Sequence, residues 1–421
     1  NNEIATVRYG GNFIITAQNP TGPWSEPHYI EGADGIDPSL FFDEDGTCYY
    51  IGTHPNPAGC QYDGDWYIWI QELDIENMKL VGEVHNVWNG AMRNIIWPEG
   101  PHLYKIGEYY YIMHAEGGTG PDHAVTVCRS KNVYGPYENN FCNPILTHRH
   151  LGRKYPICYV GHADLVKTIN DEWYMVMLAV RPLEGYTTMG RETFLARVEW
   201  ENDWPVVNPG VGRLTDTVEI NLPKWTTYTA ESNEYVFSTM GQLPPEFMVL
   251  RNADKSHYSL EKGKGLLMLF DTHTLKEQAS PSYLAFRQKH HHFIAKALLD
   301  VSNLSEDKRA GIAYVQNNLY NLRVEVNGKM AEVILCEKGT DRRVISMPLQ
   351  GSNPLEVSLE VDGLSAAVII EGQKSPEVDI RTLSTEAAGG FTGCTVGLYA
   401  VADTENTDCA CFKRFSYSEA L

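Results

Sequence analysis

Residues 37–53, DPSLFFDEDGTCYYIGT, carry the pattern that decides the fold. A polar residue precedes an apolar strand, a tight Asp-Gly turn and a second, aromatic strand. The pattern returns at residues 99–115, EGPHLYKIGEYYYIMHA, and at residues 162–178, HADLVKTINDEWYMVML. The starts of these stretches are 62 and then 63 residues apart. A period near 60 residues with several strands in each unit predicts the blades of a β-propeller.

The repeat also predicts a site. The innermost strands of propeller blades run along the central channel, so equivalent strand starts meet at one end of it. Asp37, Glu99 and His162 occupy such starts and are expected to come together. Two carboxylates and an imidazole suit acid–base chemistry. The alternative is that all three are ordinary turn or strand-start residues; their shared position in the repeat favours a function.

The second half of the chain differs from the first. No 60-residue repeat follows residue 215, and alternating stretches such as GLLMLF and YNLRVEV predict a β-sandwich. The sequence therefore predicts a propeller over residues 1–215, a linker over residues 216–245 and a sandwich over residues 246–421.

Charge and hydropathy exclude some classes of partner. The formal net charge of the 421-residue chain is -20, which argues against nucleic acid because no basic stripe could neutralise phosphates. No run of 18 apolar residues is present, so no membrane partner is expected.

The cysteines and histidines give weaker signals. Nine scattered cysteines predict reduced, mostly buried thiols, and with the lack of a recognisable leader they favour a cytoplasmic location over a secreted or periplasmic one. His290, His291 and His292 are consecutive, and neighbouring strand residues point to opposite faces, so at most two could share a metal ion. A structural role is expected for them.

Several motifs in this order resemble glycoside hydrolase family 43, in its β-xylosidase/α-L-arabinofuranosidase branch with a C-terminal β-sandwich. In the first half these are GIDPSLFFDEDG, WPEGPHLYK, AEGGTG, GHADLV and GRETFLARVEW. In the second half they are FRQKHHHF and GGFTGCTVGLYA. The resemblance covers nearly the whole chain, and its specificity comes from the ordered set.

The resemblance implies an all-β chain: a five-bladed β-propeller, incomplete here, followed by a concanavalin-like β-sandwich. It implies an exo-acting, inverting hydrolase of xylan degradation that removes terminal β-D-xylosyl or α-L-arabinofuranosyl units from hemicellulose oligosaccharides. The sequence does not choose between the two sugars.

Residue roles follow from the same resemblance. It implies that Glu99 is the general acid and that Asp37 raises the pKa of that acid and orients it. It further implies that the substrate-binding residues are Arg191, Thr119, His162 and Phe391. For Arg191 the alternative is a surface ion pair with Glu192 or Glu184, and for Phe391 it is a core position.

Inversion also needs a general base, and none is found in this chain. The family places it in an Asp-Pro motif about two repeats before Asp37, upstream of residue 1. Nothing in the spacing recommends Asp34 or Asp122 as a replacement. Three explanations stand: a chain given only in part, which is favoured; a truncated product; or a non-catalytic carbohydrate-binding or scaffold relative that lacks the base.

The expected partners and cofactors complete the sequence-based picture. The partner is a xylo- or arabino-oligosaccharide, and a missing N-terminal segment or a homo-oligomer would cover the open propeller. No cofactor is required, although the resemblance allows a structural calcium at His162.

Overall fold

The computed structural model describes residues 11–223, 234–251 and 255–420. The chain divides into two compact units, and regular structure in the described residues is almost entirely β. Unit 1 comprises Asn1–Ala179 and Thr193–Pro223, and unit 2 comprises Val180–Glu192 and Lys224–Leu421. No described helix is long and apolar enough to cross a membrane.

These divisions differ from the predicted domain boundaries in two places. Residues 180–192 precede the predicted linker but cluster with unit 2. Within the predicted linker, 216–245, residues Glu234–Val236 form a strand that pairs with Arg414–Ser416 of the sandwich. Residues 224–233 of that linker lie outside the described residues.

Unit 1 contains three successive sheets, of four, five and four strands, and a short N-terminal pair. The pair is β1 (Phe13–Ile14) with β2 (His28–Tyr29). The first sheet has the order β3 (Ile36–Phe42), β4 (Cys48–Pro55), β5 (Trp66–Asp74) and β6 (Lys79–Trp88). The second comprises β7 (Glu99–Ile106), β8 (Tyr109–Glu116), β9 (Ala124–Ser130) and β10 (Glu138–Asn139), with β11 (Leu146–Thr147) also paired to β9. The third has β12 (Cys158–Lys167), β13 (Trp173–Val180), β14 (Glu192–Glu201) and β15 (Trp204–Val207), and a 3₁₀ turn, η1 (Arg149–Leu151), precedes it.

Each sheet is an antiparallel meander, in which strands that are consecutive in sequence lie side by side. The turn between β3 and β4 closes with hydrogen bonds from Asp43 N–H to the Thr47 carbonyl and from Gly46 N–H to the Asp43 carbonyl. Gly46 has φ +90°, which a residue with a side chain rarely adopts.

Neighbouring sheets of unit 1 pack face to face. Ile51 and Ile68 of the first sheet share a core with Leu103 and Ile112 of the second. Met113 and Val125 of the second share another core with Val160, Ala163 and Met175 of the third. Four-stranded meanders that bury both faces against their neighbours are propeller blades. The predicted propeller is therefore present in unit 1.

Unit 2 contains two large antiparallel sheets. One has the order β18 (Tyr258–Glu261), β19 (Gly265–Leu269), β31 (Cys409–Glu419), β21 (His292–Asp300), β26 (Leu355–Asp362), β27 (Ser365–Ile370) and β28 (Gln373–Lys374), with β16 (Glu234–Val236) on β31 and β29 (Val378–Asp379) on β27. The other has the order β17 (Met248–Val249), β20 (Ser282–Arg287), β30 (Thr395–Ala402), β22 (Lys308–Asn317), β23 (Tyr320–Val326), β24 (Met330–Glu337) and β25 (Thr340–Pro348). Short helical turns are η2 (Phe237–Thr239), η3 (Lys255–His257), η4 (Arg381–Leu383) and α1 (Thr385–Ala388).

One apolar core joins the two sheets of unit 2. Along β21 every second residue is buried, beginning with Phe293 and ending with Leu299, as expected for a strand with one face inward. Phe293 packs between Tyr314 of the facing sheet and Tyr417 of β31, at ring-centroid distances of 5.8 and 4.9 Å. The predicted β-sandwich is confirmed.

The cysteine and histidine predictions also agree with the structure. All nine cysteines are free. The ring of His290 stacks on Tyr417 with centroids 5.7 Å apart, and His292 Nδ1 lies 2.6 Å from an oxygen of Asp362. These histidines have protein partners in the sandwich, as a structural role requires.

Candidate active site

Glu99 begins the inner strand β7 of the second blade. It is half-buried and pairs with Ala115 of β8. The Thr53 hydroxyl, buried in the first blade, donates a 2.6 Å hydrogen bond to the carbonyl of Pro98. The preceding blade thus fixes the backbone immediately before Glu99.

Asp37 lies in the inner strand of the first blade, and its carboxylate reaches the next blade. Its Oδ2 accepts a hydrogen bond of 3.1 Å from the N–H of Gly100, the residue that follows Glu99. Asp37 itself has φ +53°, in the left-handed region, so a bulge in β3 aims its side chain. The structure therefore brings Asp37 to the backbone of Glu99–Gly100, as the repeat predicts.

His162 meets the same backbone from the third blade. A Cβ placed on Gly100 would lie 2.7 Å from Cε1 and Nε2 of the His162 imidazole, closer than real contacts allow. Gly100 has φ +59°, and His162 has φ +52°. Glycine at this position lets the imidazole of one blade approach the backbone of another.

The register within the repeat corrects one sequence-based assignment. Ile36 and Glu99 occupy matching pairs, opposite Thr53 and Ala115, and a bulge follows each of them. The left-handed residues that come next are Asp37 and Gly100, with His162 in the third blade. The structural equivalent of Asp37 and His162 is therefore Gly100, and Glu99 stands one residue earlier.

Thr119 lies at the same end of the second blade. It is half-buried in the loop that follows β8. The last residues of β8 pair with the beginning of β7. Gly117 N–H in this loop donates a 2.9 Å hydrogen bond to the carbonyl of Ile96. Thr119 is therefore on a loop fastened to the segment that leads into Glu99.

Trp97 is a feature of the site that sequence reasoning missed. It has φ +47°, a strained conformation for a bulky residue, and its N–H bonds the carbonyl of Gly64 at 2.8 Å. A Cβ on Gly118 would lie 2.7 Å from the indole, and one on Gly64 would lie 3.0 Å from its Nε1. Two glycines make room for the ring; their positive φ angles are not readable from an isolated sequence.

Glu116 is a second missed residue. It is fully buried, and its Oε2 accepts a 2.9 Å hydrogen bond from the N–H of Ala91. Burying a carboxylate is costly unless it is hydrogen-bonded, so Glu116 ties the loop before Trp97 to the end of β8. Its place in the AEGGTG motif could have indicated a specific role for Glu116, since an acidic residue there interrupts an apolar aromatic strand.

Arg191 and Phe391 meet within unit 2, although 200 residues separate them in sequence. The Arg191 guanidinium carbon lies 4.7 Å from the centre of the Phe391 ring, and Arg191 N–H bonds the Phe391 carbonyl at 3.4 Å. Cys394 N–H also bonds the carbonyl of Thr188 at 2.7 Å, so the segments around the two residues run side by side.

The alternatives for these two residues are less consistent with the structure. Glu192 forms a two-pronged ion pair with Arg181, at 2.8 and 3.0 Å. Glu184 lies 3.6 Å from Arg381. Phe391 is 55% exposed, which is unusual for a core aromatic.

The family resemblance allows a structural calcium at His162. Calcium takes six to eight oxygen ligands. The described residues contain no group of three or more histidine, cysteine or acidic side chains placed to hold a metal ion. The structural calcium at His162 stays a prediction of the family resemblance.

Two family models match the chain. Residues 3–205 match the model described as glycosyl hydrolases family 43, and residues 235–418 match the β-xylosidase C-terminal concanavalin A-like domain. These matches and the sheets described above confirm the predicted fold class, a propeller followed by a concanavalin-like sandwich.

Similar proteins agree with this family. A xylosidase/arabinosidase of Butyrivibrio fibrisolvens is 46% identical, over 96% of this chain and 81% of that protein. A β-xylosidase of Bacillus subtilis is 31% identical, over 97% of this chain and 81% of that protein. The crystal structure of a xylan β-1,4-xylosidase from Bacillus halodurans has a TM-score of 0.86 and 31% identity, over 97% of this chain and 80% of that one. The chain belongs to glycosyl hydrolase family 43.

Proposed function

We propose that this protein is an exo-acting, inverting glycosidase that removes terminal β-D-xylosyl or α-L-arabinofuranosyl units from hemicellulose oligosaccharides. The observation that carries the proposal is the 3.1 Å hydrogen bond from the backbone next to Glu99 to the Asp37 carboxylate. The printed names of the similar proteins, xylosidase and arabinosidase, support this substrate class.

Glu99 acts in this proposal as the general acid. It delivers a proton to the glycosidic oxygen as the bond to the departing sugar breaks. The proton must be aimed, and the two neighbouring blades hold the backbone around Glu99. From the first blade Thr53 bonds Pro98 and Asp37 bonds Gly100, and from the third His162 packs on Gly100. Asp37 thus orients the acid through the main chain.

Arg191 and Phe391 serve in the proposal as substrate-binding residues. A guanidinium presents several N–H donors in a planar fork that suits neighbouring sugar hydroxyls. Stacking on Phe391 holds the plane of that fork, and the exposed aromatic face offers an apolar surface to a sugar ring. Thr119 and His162 are assigned the same task from unit 1.

Inversion requires a second carboxylate that activates water on the opposite face of the sugar. The proposal assigns this base to none of the described residues. It routes no step through a metal ion, and a structural calcium at His162 is retained only as a family-based proposal.

The test compares Glu99→Gln with Glu108→Gln. Both changes remove one carboxylate from the same hairpin, but Glu108 is exposed in the turn, where it pairs with Lys131. On xylobiose, whose leaving group needs protonation, Glu99→Gln is expected to lower kcat by about 10²–10⁴-fold. On 4-nitrophenyl β-xyloside, whose 4-nitrophenolate departs readily without protonation, the loss in kcat should be smaller. Equal losses on the two substrates contradict the acid role.

Proton NMR of the fresh product checks the stereochemistry, because inversion of a β-xyloside releases α-xylose first. A β-xylose product contradicts the inverting mechanism. The second candidate function is a non-catalytic carbohydrate-binding relative. It predicts oligosaccharide binding without turnover of xylobiose, 4-nitrophenyl β-xyloside or 4-nitrophenyl α-arabinofuranoside.

A further inference from the structure

A cavity of about 150 Å³ opens in unit 1 beside the loop that carries Thr119 and the start of β12, the strand that carries His162. Asp122 and Tyr159 line it, three residues after Thr119 and three residues before His162 respectively. Three residues span at most about 11 Å, so the cavity lies within a disaccharide's length of the imidazole that packs on Gly100. It is placed to contact sugars behind the terminal unit.

The loop over this cavity, residues 148–157, is built around His148. This buried imidazole donates from Nδ1 to the Ile157 carbonyl at 2.7 Å and accepts at Nε2 from Leu214 N–H at 2.9 Å. These two bonds require the neutral ring. His148 thus holds the loop in shape and adds no charge to the cavity.

Two arginines on this loop, Arg149 and Arg153, line the cavity. Two other arginines of unit 1 have carboxylate partners: Arg129 is 2.6 Å from Glu138 and Arg197 is 3.3 Å from Glu199. Within the described residues, neither Arg149 nor Arg153 forms such an ion pair; an Arg149 Nη2 lies 4.0 Å from the sulfur of Met92.

The charges in the cavity do not balance. Two guanidinium groups face the single carboxylate of Asp122, next to a neutral imidazole. This local excess of one positive charge occurs in a chain whose net charge is -20, which would otherwise repel an acidic ligand. A volume of about 150 Å³ holds one carboxylate group and a few waters, since a water takes about 30 Å³.

We propose that this cavity binds the carboxylate of a uronosyl substituent on the sugar directly behind the bond that is cleaved. The guanidinium forks of Arg149 and Arg153 bind the carboxylate oxygens, because planar N–H pairs match that geometry. The inference rests on the proposed exo-glycosidase function and narrows its substrate class to include acidic hemicellulose oligosaccharides.

The kinetic test uses xylotriose and the same trisaccharide with a glucuronosyl group on its middle sugar. Arg153→Ala is expected to lower kcat/KM on the acidic substrate roughly tenfold more than on neutral xylotriose. Arg342→Ala is the matched control, since it removes an exposed arginine from β25 in unit 2 and should leave both values unchanged. Raising the salt concentration should shrink the effect of Arg153→Ala. Equal effects on the two substrates overturn the inference and leave the proposed function standing.

A binding test separates the two proposals. The ligand is the disaccharide in which glucuronic acid is linked to xylose, which has no terminal xylosyl unit to release. Calorimetry should show binding to the wild type, roughly tenfold weaker binding to Arg153→Ala and unchanged binding to Arg342→Ala. A wild type that cleaves xylotriose without binding this disaccharide refutes the cavity proposal. Arginine-dependent binding without cleavage of xylotriose or of 4-nitrophenyl α-arabinofuranoside refutes the proposed function and supports the cavity proposal.

Discussion

Replacing Gly100 with alanine tests how the two neighbouring blades hold the candidate acid. The new methyl group would lie 2.7 Å from two atoms of the His162 ring and 2.9 Å from a third. Real Cβ atoms do not come so close, so the imidazole or the backbone beside Glu99 must move. The same backbone carries the N–H that bonds Asp37.

The size of the effect follows from two contributions. At φ +59° an alanine costs about 1–2 kcal/mol of backbone strain in the folded protein. Alanine also restricts the backbone of the unfolded chain more than glycine does, which offsets about 0.4–1 kcal/mol of that cost. Forcing a methyl group into a packed contact adds about 1–3 kcal/mol. Gly100→Ala should therefore destabilise unit 1 by about 2–4 kcal/mol.

Gly107 supplies a matched control in the same hairpin. Its φ is +60°, and nothing lies within 4 Å of an added Cβ. Gly107→Ala should cost about 1 kcal/mol, from the strain alone. The difference between the two variants isolates the contact with His162.

Denaturant unfolding and kcat/KM on 4-nitrophenyl β-xyloside measure both consequences. Because a misplacement of about 1 Å can cost about a hundredfold in rate, Gly100→Ala should lose at least about tenfold in kcat/KM, and Gly107→Ala little. In denaturant unfolding, Gly100→Ala should destabilise a His162→Ala background less than it destabilises the wild type. The double-mutant cycle should give a coupling free energy of about 1–3 kcal/mol. Equal destabilisation by both alanines, or no coupling to His162, refutes the reasoning.

Three further outcomes are expected. Thr53→Val removes the hydroxyl that bonds the Pro98 carbonyl and should destabilise unit 1 by about 1–3 kcal/mol in denaturant unfolding, whereas Thr53→Ser, which keeps the hydroxyl, should not. Arg191→Lys keeps the charge but loses the planar fork over Phe391, so kcat/KM should fall at least about tenfold with little change in unfolding; full activity contradicts a binding role. Burial lowers the pKa of His148 below its usual 6.5, so the fold keeps a neutral ring and should lose stability as pH falls below that value. His148→Gln should flatten this dependence between about pH 7 and about pH 5, and an unchanged curve contradicts the assignment.

The inner strands of the blades could be predicted because their signals are local. Tight turns and aromatic strands recur with a fixed period, and each hairpin folds from neighbouring residues. The exact register was missed by one residue, since Glu99 was aligned with Asp37 by its charge. The structure aligns Gly100 instead, because the bulge requires a left-handed residue there. The proline that follows both Asp37 and Gly100 was the available clue.

The second part of the candidate site depends on contacts that local patterns do not encode. Arg191 lies in a loop between two propeller strands, yet its backbone and guanidinium meet Phe391 in the sandwich unit. No periodicity connects these positions; only the family resemblance named them. The conformation of Trp97 likewise depends on glycines that are distant in sequence, Gly64 and Gly118.

The membership of residues 180–192 in unit 2 has a consequence for recombination and for protein engineering. The two family models divide the chain between residues 205 and 235, which invites the exchange of either half between relatives. A crossover there would pair the Thr188–Arg191 segment of one parent with the Phe391–Cys394 segment of another. Such chimaeras should fold only when both segments come from the same parent. The part of the chain that must be exchanged together with the sandwich is therefore discontinuous in sequence.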